Sequence, residues 1–517
     1  MRYYHKKAIA ALALILTLGA ASCDEYLDLK PLDEVTVDQV YNSGGDLTQA
    51  AAGVYSILSN DWMFRRGRLM FPLELRADAM MLGKTRRSGT RLELATYTYT
   101  SDNGFIQNYW QQHYRGINNA NVLIEKGPQA SDASAAVKSR TIAEAHFLRA
   151  FYYFSLVRLW GEVPLVTVSP TTYDEALDLK PGTVEQIYEQ IIEDAKYANG
   201  EVDPSIILPV EDDNQGRVAL TAAQTLLADV YLTLGNYSES ARYAQQVINS
   251  GQHALWDDYA DAFSIDLQYE SNSAPGAESI FEVKFAPDVD PGSRFADYAW
   301  PRGLIQPYSA SSGRTGSGFF EVHESVYDAL DTADARVAYM FPKTYVLGSG
   351  AESVINPAAD TVAGGAYEGQ LFNQAPPYFC IKYPTDNDRQ RFRWSSNPWP
   401  VYRYADVLLM YAEAVNEQGV AGQDVLDQTV NLLRERANLA PLTGGGQDEI
   451  REAIKEERFV EFFYEGKRFH DLVRWGELAQ EVNQRNFDYE ITTVITEADR
   501  FLPIPQRAID TNPNIDE

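Results

Sequence analysis

Only two cysteines, Cys23 and Cys380, occur in 517 residues, which excludes a disulfide-stapled scaffold. The six histidines, at positions 5, 113, 146, 253, 323 and 470, form no HExxH pattern and no paired ligand spacing. Phosphate and dinucleotide loops are also missing. Gly83-Lys84-Thr85 has Asp78 where a phosphate loop needs its first glycine, and Gly313, Gly316 and Gly318 make no dinucleotide fingerprint. In Asp212-x-Asn214-x-Gly216, Ala223 stands where a calcium loop places its bidentate glutamate. No metal and no cofactor are expected. Basic charge is scarce: 44 Lys and Arg against 73 Asp and Glu give a formal net charge of −29. Nucleic acid is therefore a poor partner, and any polyanionic ligand must find a local basic patch.

What is present begins with an export signal. Arg2, Lys6 and Lys7 precede an apolar run from Ala8 to Leu18, followed by Gly19-Ala20-Ala21-Ser22-Cys23. The run falls short of the roughly 20 residues of a spanning helix, so no transmembrane anchor is expected. A cysteine directly after small residues resembles the cleavage and lipidation site of bacterial lipoproteins. The usual leucine three places before it is Ala20 here, with Leu18 two residues earlier. Cleavage makes residues 1–22 the signal peptide, Cys23 the lipidated first residue, and 23–45 an acidic tether. Several acyl chains make a lasting anchor, at about 0.8 kcal/mol per buried CH₂. Cys380, left alone, reads as a small buried hydrophobe.

The organising stretch is Ala143 to Val166, AEAHFLRAFYYFSLVRLWGEVPLV. Phe147, Ala150, Phe151, Phe154 and Val157 recur at steps of three and four, and Tyr152, Tyr153 and Leu156 lie off that stripe. A helix apolar nearly all round belongs in the middle of a core. Gly161 is placed to end it and Pro164 prevents another turn. Further helices are expected at 46–58, 105–126, 183–199, 221–249, 320–331, 404–417, 424–437 and 449–479. Within 221–249, Leu227, Ala228, Tyr231, Gly235-Asn236-Tyr237, Ser240, Ala244 and Val247 fall at tetratricopeptide spacing. The pairs 105–126/139–160 and 404–417/424–437 have the same shape with poorer consensus.

Residues 60–104 lack a sustained period and read as loop. Residues 251–400 scatter Pro and Gly among aromatic and basic residues, a loop-rich insertion of the kind that carries binding function. In 449–479, Glu457, Glu461 and Glu465 share one row. The favoured reading is a salt-bridged helix, with Arg468–Asp471 and Asp471–Arg474 pairs, around a buried Phe462-Phe463-Trp475 face. Leu502-Pro503-Ile504-Pro505 then pins an extended tail.

These segments together resemble the SusD/RagB family of surface lipoproteins. The matching pieces are CDEYLDLKP after the signal, WQQHYRGINNAN at 110–121, the 143–166 stretch and ALTAAQTLLADVYLTLGNYSESARYAQQVI at 219–248. VYRYADVLLMYAEAVNE at 401–417, EERFVEFFYEGKRFHDLVRWG at 456–476 and LPIPQRAIDTNPN at 502–514 complete them. The resemblance implies a mostly α fold of tetratricopeptide-like helix pairs supporting the insertion. It divides the mature chain into an N-terminal region (46–250), the variable insertion (251–400) and a C-terminal region completing the scaffold (401–517). It also implies a non-enzymatic lipoprotein facing the exterior of the outer membrane, where Asp24 and Glu25 match the family's surface-export signal. Such proteins capture an oligosaccharide or polysaccharide for a SusC-like TonB-dependent transporter, or in a RagB-like branch capture peptides. Because ordinary Asp and Glu suffice for glycoside hydrolysis, a surface glycosidase is the other alternative.

Sugar binding needs flat apolar faces for the rings and fixed polar groups for the hydroxyls. Trp62 and Asp78 from the early loops, Tyr298, Trp300 and Arg302 from the insertion, and then Arg391 and Trp399 are the expected contacts. Trp110, Trp160 and Trp475 are assigned to the core, and Arg65, Arg66 and Arg68 to a solvated charge run.

Overall fold

The computed structural model describes residues 41–83, 86–170, 172–210, 216–265, 267, 278–285, 292–300, 316–341, 344–346, 352–356, 361–363, 379–383, 395–485 and 493–515. The export signal, Cys23, Arg302, Arg391 and the Asp212–Asn214 stretch lie outside them. Among the described residues no helix is long and apolar enough to cross a membrane.

Helix α1 (Gly44–Tyr55) starts at Ser43, whose hydroxyl accepts from the Asp46 amide while the Asp46 carboxylate caps the Ser43 amide. Asp46 is thus the third helical residue. The stretch expected as loop contains helix α2 (Met70–Glu74), strand β1 (Met80–Leu82) and helix α3 (Gly89–Thr96). Its irregular period reflects elements too short to establish one, most of them buried on every side.

Helices α4 (Gly104–Lys126) and α5 (Ala135–Trp160) form the first long pair, and α5 is buried along nearly its whole second half. Gly161, at φ 74°, ends α5, and the chain leaves through β2 (Val163–Pro164), paired with β3 (Pro181–Gly182). Each large apolar side chain buried here contributes roughly 1.5–3 kcal/mol. Polar groups are buried with them. Arg149 grips Asp194 of α6 (Val184–Ala198) through Nη2 at 2.7 Å and Nε at 2.8 Å, and His146 Nδ1 lies 2.7 Å from the same carboxylate. The apolar pattern conceals these residues because each has a specific partner across the interface.

Helices α7 (Leu220–Thr233) and α8 (Tyr237–Ser250) are the expected tetratricopeptide-like pair, turning at Gly235 with φ 70°. Ser240 donates to the Ala228 carbonyl at 2.9 Å, a contact that two small residues permit.

In the insertion, β4 (Ser279–Val283) is followed by a short helix α9 (Phe295–Ala299) and strand β5 (Phe320–Val322). The helix expected over 320–331 is replaced by β5 and the five-residue α10 (Glu324–Asp328), because Phe320–Val322 pairs antiparallel with β1. Tertiary pairing overrides local preference there. After α11 (Ala335–Met340) comes a small sheet, β6 (Thr344–Val346), β7 (Glu352–Asn356) and β8 (Thr361–Ala363). Strand β9 (Trp399–Arg403) then returns beside β4.

In the C-terminal region α12 (Tyr404–Glu417) packs on α8 and α15 (Gln447–Glu461), and α13 (Gln423–Gln428) and α14 (Val430–Arg436) pack on α12. The helix expected at 449–479 is three: α15, α16 (Arg468–Trp475) and α17 (Leu478–Gln484). Tyr464 and Gly466, at φ 58° and 74°, break it. The tail runs as foreseen: Leu502 N donates to Leu159 O at 2.7 Å and Trp160 Nε1 to Pro503 O at 3.0 Å, before α18 (Gln506–Thr511).

The Glu457/Glu461/Glu465 row is the anchor of a buried ionic network. Glu461 receives Arg336 at 2.9 Å, Arg403 at 3.0 Å and Arg436 at 2.7 Å. Glu465 holds Lys382 and Arg403, Glu457 holds Arg336, and Glu278 holds Arg403 and Arg436. Every side chain involved is at most 3 % exposed, so this cluster ties insertion to scaffold rather than facing a ligand. Cys380 beside it is buried, and burial pushes its thiol up to about 12.

Candidate functional site

The loop after α1 folds on its own polar groups. The Trp62 amide donates to the Asn60 side chain at 2.9 Å, and Asp61 pairs with Arg65 and Arg66. This presents Trp62 half-buried, with the Phe105 ring at 5.7 Å in an edge contact. The Arg68 guanidinium lies 3.8 Å from the Trp62 ring centroid. One face of the indole is therefore already covered by a cation, and Trp62 is no bare platform.

The insertion is stitched to this loop. The Arg294 amide donates to the Arg65 carbonyl at 2.8 Å, and Ser293 and Ser395 exchange backbone bonds at 2.7 and 2.8 Å. Arg294 pairs with Asp297 at 2.9 Å, and Ser317 donates to Asp297 at 2.5 Å. Gly316 is required where it stands, because any Cβ would collide with the Trp300 carbonyl. The β1–β5 pair completes the join, placing Phe319 against Tyr298 at 4.9 Å and Phe71 at 5.5 Å.

Of the expected contacts, Trp62 alone among those described is more than marginally exposed and free of an ion pair. Tyr298 and Trp300 are each 5 % exposed and Trp399 2 %. Trp399 pairs in β9 and packs on Phe64 and Tyr383, which makes it a core residue because its strand is covered on both sides. Burial also raises the Tyr298 hydroxyl. Asp78 is occupied by Arg468, at 2.9 and 2.6 Å, an interaction that docks the turn after α2 onto α16. That pair takes the place of the Arg468–Asp471 pair expected within the helix. Asp471 instead holds Arg458 and Arg474. Trp110 and Trp160 are buried as assigned, while Trp475 is half-buried and donates to Glu413.

Sequence reasoning did not foresee the arginines grouped around Phe319. Arg86 lies 4.6 Å and Arg91 4.9 Å from its ring centroid, and Arg86 donates to the Ser317 carbonyl. The only signal was the density of arginine between 65 and 91. Among the described residues, no group of three His, Cys, Asp or Glu is placed to hold a metal. Glu74 is the carboxyl that burial raises to about 7, yet it is 2 % exposed and accepts from the Gly466 amide inside the core. A separate groove of about 660 Å³ runs along the outer side of α4 toward α18, lined by Trp110, Gln111, Tyr114, Arg115 and Arg507. It shares no lining residue with the Trp62 face.

The profile of the family described as "SusD family" matches residues 326–517, and that described as "Starch-binding associating with outer membrane" matches residues 25–245. The chain is a SusD-like protein. It is 29 % identical to SusD-like protein P2 of Formosa agariphila, over 99 % of this chain and 98 % of that one. A SusD-like protein of Bacteroides ovatus is 25 % identical over 92 % of this chain and 83 % of its own length. Among solved structures, a SusD superfamily protein from Parabacteroides distasonis superposes with TM-score 0.74 at 25 % identity, covering 93 % of this chain and 98 % of that one. Surface glycan-binding protein A from Bacteroides thetaiotaomicron, solved in complex with laminarihexaose, superposes with TM-score 0.73 at 24 % identity, covering 92 % and 98 %. The helical scaffold of this SusD-like chain, with its insertion, is thus that of the SusD superfamily.

Proposed function

We propose that this protein is a non-catalytic, lipid-anchored glycan-binding protein of the outer membrane surface, which passes an oligosaccharide to a SusC-like TonB-dependent transporter. The observation that carries this reading is the Trp62 face, where an aromatic ring and several fixed polar side chains meet at the join of the early loop and the insertion. That is the combination sugar rings require. The likeness to a surface glycan-binding protein solved in complex with laminarihexaose supports a glycan as the class of ligand. The lysine-rich leader and Cys23 support export and acylation, with 46–250 and 401–517 as scaffold and 251–400 as the part that varies with ligand.

The test is a titration of the purified protein against a panel of soluble glycans, with reducing ends assayed in the same tubes. Saturable binding without new reducing ends, and co-purification with a large outer-membrane barrel, are expected. Release of reducing ends would make it a glycosidase, and tightly held peptides with no glycan affinity would make it a peptide carrier.

A further inference from the structure

In a chain of net charge −29, two cations at the Trp62 face stand without a carboxylate partner among the described residues. Arg68 is stacked on Trp62, and Arg91, near the start of α3, is set against Phe319. Among the described residues, neither has an ion pair with any carboxylate, whereas Arg65 and Arg66 are matched by Asp61 and Arg294 by Asp297. Arg91 is half-buried, and its Nε is enclosed without a hydrogen-bond partner. The two guanidiniums feel one another: burial lowers Arg91, the Tyr298 hydroxyl opposes this, and Arg68 lowers it further. Like charges brought together and partly dehydrated without an anion cost free energy, and that cost is relieved when an anion arrives. The first-turn amides of α3 add positive potential on the same side.

We infer that the face selects an acidic glycan, with Arg68 and Arg91 together receiving a carboxylate or sulfate group while Trp62 and Phe319 flank the sugar ring. This rests on the glycan-binding reading and names its substrate class. Guanidinium suits both anions because its planar fork donates two parallel hydrogen bonds to their oxygens. The remaining chain helps selection, since its negative field repels polyanions that do not engage this spot.

The test uses the full chain in detergent and three probes: oligogalacturonate, a sulfated galactan oligosaccharide and a neutral galactan oligosaccharide of equal length. One acidic probe is expected to bind at least about tenfold more tightly than the neutral one, with affinity falling as NaCl rises. The probe that binds tells carboxylate from sulfate. Arg68→Gln and Arg91→Gln should each weaken that probe about tenfold, and Arg91→Lys should restore only part of the loss, because an ammonium keeps the charge without the two parallel hydrogen bonds. Arg115→Gln, in the α4 groove, should leave it unchanged. The Arg68 side chain makes no hydrogen bond among the described residues, so its variant should keep nearly the parent melting temperature and report on binding. Equal affinity for neutral and acidic probes overturns the inference while the glycan reading stands. Acidic binding that both Gln variants leave intact overturns it too, and absence of any glycan binding overturns both.

Discussion

The backbone of Gly116 on α4 lies flat against the ring of Tyr152 on α5, so closely that a methyl group there would overlap ring carbons. The Tyr152 hydroxyl donates beyond it to the Val54 carbonyl at 2.8 Å, so the ring cannot swing aside without losing that bond. Gly116→Ala should therefore lower unfolding free energy by about 1–3 kcal/mol, read from denaturant melts. Gly53→Ala, which meets no atom within 4 Å, should be neutral or slightly stabilising. Equal effects of the two would contradict this packing.

Glu461 should set the acid limit of the fold. Burial raises its pKa, but Arg436, Arg403 and Arg336 outweigh burial and hold the carboxyl far below the usual range. Its contribution is therefore complete above the unfolded value of about 4.3 and is lost as pH falls through the folded value. Glu461→Gln should cost about 3–5 kcal/mol at pH 7, because three buried guanidiniums lose their shared partner. The deficit should shrink as pH falls below 4, measured by chemical unfolding at a series of pH values.

Glu74 works in the opposite sense. Burial lifts its carboxyl to about 7, against the Gly466 amide and Lys382, which lower it. A raised folded pKa gives stability that is complete below about 4.3 and is lost as pH rises through about 7. Glu74→Gln keeps an acceptor for Gly466 and removes the penalty. It should stabilise the protein by about 3 kcal/mol at pH 8 and leave it unchanged near pH 4. Loss of stability at pH 8 would show that the ionised carboxylate is needed.

Trp62 and Trp399 should separate binding from folding. Trp62→Ala should reduce glycan affinity at least about tenfold with little change in melting temperature, since the ring is half-buried. Trp399→Ala should cost about 3–5 kcal/mol of stability. Folded Trp399→Ala protein should bind the glycan nearly as the parent does. Both quantities can be read from one preparation by thermal unfolding and titration.

The long helices were legible because their apolar residues repeat over several turns, as in Phe147 to Val157 and Leu227 to Val247. Pairings between distant segments were not. Nothing near Met80 announces that it will pair with Val322, nor anything near Val283 that Trp399 will lie opposite. Without those pairings the insertion has the pattern of a loop and Trp399 that of an available ring. Asp78 is a related case: its partner Arg468 is remote in sequence, so nothing near Asp78 announces the ion pair that holds it. The arginines of the Trp62 face are visible as composition, but which of them has an acid beside it among the described residues is a property of three-dimensional neighbours.

Val283 and Trp399 are register partners, and Ser293 and Ser395 meet just beyond them. The chain thus leaves the scaffold and returns to it at adjacent points, and in between it is moored again where β5 pairs with β1 and where Arg336 and Lys382 reach the Glu457/Glu461/Glu465 row. A segment held at those moorings can vary in the stretches between them while the helices behind keep their alignment.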